Sequence, residues 1–139
     1  MIYDIVIVGG GPAGLTAAVY ALRAGKTVLV IEKNSFGGQI AFSPKVENIP
    51  GTIQISGAAF ADQLVEQAMN LGAEVELEKV VKVEKSDGIF LVHTEEESTF
   101  RGRSVILALG VKHRTLGLPG ETGLIGNGIS FCAVCDGAF

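Results

Sequence analysis

The chain has 139 residues, 47% of them apolar and only 19% charged, with a formal net charge of -4. This excludes a disordered charged tail, gives nucleic acid no basic surface, and fits one densely packed α/β core. No apolar run approaches the roughly 18 residues of a membrane span, and strand-like residues 5–8 begin too early for a cleavable signal. The two cysteines, three positions apart, cannot build a disulfide framework of the secreted kind, so a reducing, cytoplasmic setting is expected.

Residues 5–8 are an apolar, β-branched run, the pattern of a central parallel strand covered on both faces. Residues 9–14 are glycine-rich. Residues 13–24, rich in Ala and Leu and followed by Gly25, predict a helix with a glycine stop, and residues 27–31 a second strand closed by Glu32. Together they form a βαβ unit of about thirty residues. Residues 34–56 lack periodicity and read as an ordered, functional loop. Residues 58–71 predict a helix with Phe60, Leu64, Val65, Ala68 and Leu71 on one face, stopped by Gly72. Residues 74–77 predict a third parallel strand, residues 80–83, 89–93 and 99–101 a small antiparallel meander, and residues 104–109 a buried strand. Beyond Val111, glycines at 117, 120, 123, 126 and 128 break regular structure, so the stretch reads as a connector that delivers residues 131–139.

Gly9-Gly10-Gly11-Pro12-Ala13-Gly14 satisfies G-x-G-x-x-G. Among 19 glycines the bare pattern is expected by chance about 0.3 times, so context decides. Here it follows a strand, opens a helix, and precedes an acidic residue, Glu32, at the end of the next strand, as a dinucleotide fingerprint requires. Gly9 serves the tight turn, Gly11 lets backbone approach a pyrophosphate, and Gly14 lets the helix pack on the sheet. The helix N-terminus offers N–H groups to phosphate, and Glu32 suits ribose hydroxyls. Pro12, Ala13 and Lys33 complete the candidate nucleotide contacts. The fingerprint alone does not separate NAD from FAD; the long glycine-rich loop after Glu32 and a meander in place of another βα unit favour FAD.

Cys132 and Cys135 form a C-x-x-C pair. A zinc site would need two more soft ligands, and His93 and His113 stand singly in other segments. Two buried structural thiols fit poorly with the glycine-rich surround. A redox pair uses each residue: the spacing closes a small disulfide, favours one thiolate, and sets Asp136 beside it as a proton shuttle.

The combination of the glycine turn with Gly37-Gly38-Gln39, Val46-Glu47-Asn48-Ile49-Pro50-Gly51, Leu118-Pro119-Gly120-Glu121 and Cys132-Ala133-Val134-Cys135-Asp136-Gly137 resembles the low-molecular-weight thioredoxin reductases. The resemblance implies a homodimeric flavoenzyme in which electrons pass from NADPH through FAD and the cysteine pair to thioredoxin. It implies that Cys135 lies next to the flavin, that Cys132 attacks the substrate disulfide, and that Asp136 is acid and base. Gly38, Gln39 and Asn48 match flavin-lining positions, Val81 a backbone contact to adenine, and Ala108 and Gly110 a second FAD contact, where Leu109 replaces the usual Thr. It further implies an FAD-binding domain over residues 1–116, and over residues 117–139 a connector and the start of a second domain whose NADPH-binding body is absent, leaving the isolated chain inactive. The alternatives are a related flavin disulfide reductase with another donor or acceptor, of the ferredoxin-dependent or alkyl hydroperoxide reductase type, and a non-catalytic FAD-binding module.

Overall fold

The β-branched run near the N-terminus becomes an inner strand of the sheet. A computed structural model describes residues 1–132, and the elements run β1 (Tyr3–Val8), α1 (Pro12–Arg23), β2 (Val28–Glu32), a 3-10 turn (Gly38–Phe42), α2 (Gly57–Asn70), β3 (Glu74–Leu77), β4 (Val80–Ser86), β5 (Ile89–Thr94), β6 (Thr99–Leu107) and a one-turn α3 (Glu121–Leu124). Among the described residues the sheet has the order β3-β2-β1-β6-β5-β4. The first four of these strands run parallel, and β6, β5 and β4 are antiparallel neighbours. The expected α/β class, a parallel sheet plus a meander, is the one observed.

Alternation along β1 and β2 sends side chains to two cores. Ile7, Val28 and Val30 pack with Leu15, Ala18, Val19 and Ala68 on the helical side. Val6, Val8, Leu29 and Ile31 face the meander, where Val92 is buried and Val80 and Phe100 pack against them. Both faces are therefore covered, which explains the uninterrupted apolar runs. Ile7, Leu15, Leu29 and Val92 are wholly buried, each stabilising the fold by about 1.5–3 kcal/mol.

Both predicted glycine stops close Schellman motifs: Lys26 N–H donates to the Ala21 carbonyl and Gly25 N–H to Leu22 after α1, and Ala73 N–H to Ala68 and Gly72 N–H to Met69 after α2. Ser56 caps α2, its Oγ accepting from Ala59 N–H at 3.2 Å. The predicted apolar face of α2 is borne out for Leu64, Val65 and Ala68, whereas Leu71 at its end is 41% exposed. Asp4 and Thr27 pin the β1–β2 register reciprocally, Asp4 N–H donating to Thr27 Oγ1 at 2.9 Å and Thr27 N–H to Asp4 Oδ2 at 3.0 Å. The Thr27 N–H, and with it the Thr27 hydroxyl at 3.0 Å, donate to the Asp4 carboxylate and hold it below its ordinary pKa.

One expectation is corrected. Residues 99–101 and 104–109 are not two strands; β6 runs unbroken from Thr99 to Leu107, pairing first with β5 and then with β1. Gly102 is where it passes from one partner to the other, opposite both Phe90 and Tyr3, and a Cβ there would stand 2.8 Å from a Val6 methyl. The expected burial of residues 104–109 fails at its end: Leu107, the last residue of β6, is 62% exposed, and Leu109 beyond it 65%. Helix α1 packs on β1 and β2, and α2 packs on α1 and the 3-10 turn.

Candidate functional site

Parallel register brings the carboxyl ends of β1, β2 and β6 together, Val8 standing opposite both Ile31 and Leu107. In open α/β sheets this is where ligands bind. Gly9 leaves β1 here, with its N–H donating to Ile31 O at 2.8 Å and Ala108 N–H donating to Val8 O at 2.8 Å. Its φ of +112° is in the glycine region, and a Cβ would fall 2.1 Å from Ala108 O. Gly14 admits no side chain either, since a Cβ would lie 1.9 Å from Gly9 O. The turn and helix therefore pack backbone on backbone, as the fingerprint predicts.

Gly11 is different. Its φ is -80°, so no positive φ is needed there, and its only neighbour within 4 Å of a built Cβ is the Gly38 Cα, at 3.8 Å. A Cβ on Gly38 would in turn stand 3.1 Å from the Gly11 Cα. Two glycines from distant segments thus face each other across a narrow cradle that side chains would fill. Pro12 occupies the first turn of α1, with Ala13 exposed after it. No side chain caps this helix and its first turn holds no acid, so its leading N–H groups and positive dipole end remain for an anion.

Glu32 is half-buried beside the turn. Its Oε2 accepts from Gly10 N–H at 2.8 Å, and its Oε1 from Lys33 N–H at 2.9 Å and Asn34 N–H at 3.1 Å. Lys33 enters through its backbone; its side chain is exposed. Gly37 N–H donates to Gly10 O at 2.7 Å, which brings in the loop carrying Gly38 and Gln39. The Gln39 side-chain amide donates to the Val111 carbonyl, tying that loop to the stretch after Ala108 and Gly110.

The remaining predicted residues lie apart or are open. Gly110 has open space around it. Asn48 is exposed, two residues past Val46, whose backbone pairs with Ile55. Val81 is 56% exposed on β4 at a bulge between Val80 and Lys82, so its backbone lies outside the ladder. Cys132 is half-buried and donates its N–H to Ser130 Oγ at 3.1 Å; Cys135 and Asp136 lie outside the described residues. Of the two histidines, His93 is engaged by Glu84 and Thr99, each at 3.0 Å. No described group of three or more His, Cys, Asp or Glu is arranged for a metal ion, and no described helix is long and apolar enough to cross a membrane.

Three features escaped the sequence reading. The Phe36 ring lies on Gly10, where a Cβ would be 2.5 Å from it; an aromatic alone in a polar, glycine-bounded stretch was the available signal. Glu121 is buried and its carboxylate collects three backbone N–H groups, from Leu116 at 2.8 Å, Gly117 at 2.7 Å and Leu118 at 3.2 Å. These bonds, that from Leu116 foremost, hold its pKa below the ordinary glutamate value. The third is a stack of His113 on Phe131, for which sequence spacing gave no signal.

Comparison with known proteins agrees with this geometry. Residues 3–139 match the family described as pyridine nucleotide-disulphide oxidoreductase. The chain is 44% identical over 138 residues to thioredoxin reductase of Treponema pallidum, covering 99% of this chain and 45% of that protein. It is 46% identical over 139 residues to the bifunctional thioredoxin reductase/thioredoxin of Mycobacterium leprae, covering 99% of this chain and 30% of that protein. The crystal structure of thioredoxin reductase from Streptococcus pyogenes superposes with a TM-score of 0.88 at 41% identity, covering 99% of this chain and 45% of that one. The chain thus spans less than half the length of these relatives, and by its family match it belongs to the pyridine nucleotide-disulphide oxidoreductases.

Proposed function

We propose that this chain is the flavin-binding portion of a disulfide oxidoreductase of the thioredoxin reductase type. The observation that carries the reading is the cradle at the sheet's carboxyl edge: Gly11 opposite Gly38, an uncapped helix N-terminus beside them, and Glu32 at the end of β2. These features suit a dinucleotide, with phosphates at Gly11, Ala13 and Gly14 and ribose hydroxyls at Glu32. Gly38, Gln39, Asn48, Ala108 and Gly110 are the proposed contacts to the rest of FAD, and Val81 offers the backbone left out of its ladder. Gly9, Pro12 and Lys33 shape the turn around it. When bound, FAD supplies reversible two-electron chemistry.

The residues of the chain do the rest. Residues 1–116 form the flavin-binding unit, and residues 117–139 carry the cysteine pair. Two electrons and two protons convert the Cys132–Cys135 disulfide to two thiols; Asp136 gives and takes the proton at sulfur, and Cys132 attacks the disulfide of a thioredoxin-like protein. Thioredoxin as partner is supported by the names of the relatives, including one with thioredoxin fused to the reductase. NADPH as electron source, a homodimer and a cytoplasmic setting complete the proposal. Equilibrating the chain with FAD, FMN or NADPH and then gel-filtering it tests the reading: FAD is expected to be retained and FMN, which lacks the adenosine, to be lost. Equal retention of FMN, or no flavin at all, overturns it.

A further inference from the structure

His113 lies flat on Phe131, with ring centroids 4.5 Å apart and planes within 3°, a parallel stack at the separation over which aromatic rings attract. Phe131 immediately precedes Cys132. His113 stands two residues after Val111, whose carbonyl accepts from Gln39 in the cradle loop. The chain between the two rings is folded on itself. Glu121 gathers the N–H groups of residues 116–118, Asn127 and Ile129 N–H donate to Leu124 O at 2.9 Å, and Gly126 N–H donates to Ile129 O at 2.9 Å. The stack therefore joins the two ends of a self-contained loop, one end tied to the cradle and the other bearing the cysteine.

The geometry points to His113 as a positioning residue for Cys132: by stacking on Phe131 it fixes residues 130–132 relative to the Gln39–Val111 contact. This rests on the reading of Cys132 and Cys135 as a redox pair. A ring stacked face to face uses its flat surface, and its nitrogens, lying in the ring plane, point away from Phe131. Planarity, and not basicity, is the property in use. No described acid or thiol cluster gives His113 a metal to hold.

The stack makes the disulfide easier to close by limiting where the Cys132 sulfur can go. The test is the exchange equilibrium with dithiothreitol, in which the disulfide is reduced to two thiols as dithiothreitol is oxidised to its cyclic disulfide; acid quenching and alkylation let mass spectrometry count the thiols. His113→Ala is expected to shift the constant toward the dithiol by about three- to tenfold, the scale of one aromatic pair. His113→Phe, which keeps the flat ring and loses the nitrogens, should stay within about twofold of wild type on the same scale. An unshifted His113→Ala, or a His113→Phe displaced as far as His113→Ala, overturns the positioning role while leaving the redox pair intact. A wild-type chain with no reversible disulfide overturns the redox reading and this inference with it. His113 is exposed, so its replacement leaves both cores untouched.

Discussion

The Glu32 carboxylate closes the glycine turn, with Oε2 2.8 Å from Gly10 N and Oε1 spanning the N–H groups of Lys33 and Asn34. A residue whose position suggests ribose recognition therefore also holds the ligand-free fold. Glu32→Ala is expected to lower the stability of the chain without nucleotide by about 1.5–3 kcal/mol, the scale of a hydrogen bond to a charged group. Glu32→Gln keeps one accepting oxygen and should lose less. Urea midpoints measured without FAD check this; an unchanged Glu32→Ala midpoint contradicts it.

The three fingerprint glycines should separate in their effects. Gly9→Ala combines a positive φ with a 2.1 Å clash against Ala108 O and is expected to destabilise by roughly 2–4 kcal/mol. Gly14→Ala meets Gly9 O at 1.9 Å and should do the same. Gly11→Val adds a Cβ that meets only the Gly38 Cα, at an ordinary 3.8 Å, and loses about 1 kcal/mol of helix-capping preference, while its side chain would fill the cradle facing Gly38. It is expected to fold and fail to bind FAD. Thermal melts paired with a flavin-binding titration measure both; a Gly11→Val chain that retains FAD places the phosphates elsewhere.

The Tyr3 hydroxyl donates to Glu74 Oε2 at 2.6 Å, joining β1 to β3 across β2. Burial, then the bond to Glu74 and its charge, push the Tyr3 pKa up to about 12. Because the folded value lies above the unfolded one, near 10, this contribution is fully present below pH 10 and is lost as pH rises toward 12. Its size is up to about 3 kcal/mol. Tyr3→Phe should remove that alkaline dependence, which denaturation midpoints from pH 8 to 11.5 would show. Parallel curves for the two chains would contradict the assignment.

Glu121 titrates in the opposite sense. Its folded pKa lies below the ordinary value, so its hold on residues 116–118 is present above the unfolded glutamate pKa and is lost as pH falls through the folded one. Glu121→Gln, with a single accepting oxygen, should loosen the loop already at neutral pH. Hydrogen exchange at the Leu116, Gly117 and Leu118 amides is the measurement: faster exchange in the variant is expected, and equal protection would show that other contacts hold the loop.

What the sequence made legible were features set by local chemistry. The βαβ unit followed from two apolar runs and a helix bounded by Gly25, the glycine turn followed from its spacing and Glu32, and the facing Gly38 was reached only through the family resemblance. The extent of β6 was not legible, because Gly102 between Arg101 and Arg103 looks like a break; it is continuous because Gly102 lets the strand pass close against Val6. The exposed Leu107 and Leu109 misled for a related reason, since an apolar run does not say what covers it. Glu121, Phe36 and His113 act through partners distant in space or set by loop geometry, which no periodicity encodes.

In the proposed function the flavin and the cysteine pair exchange electrons. An anaerobic titration of the FAD-loaded chain with dithionite, following flavin absorbance and counting thiols at each step, tests it most directly. Cys132 and Cys135 are expected to become titratable thiols as reductant is added, and the chain to take up two electrons more than its flavin alone requires. A chain whose flavin bleaches with only its own two electrons, while both cysteines stay unreactive, would contradict it.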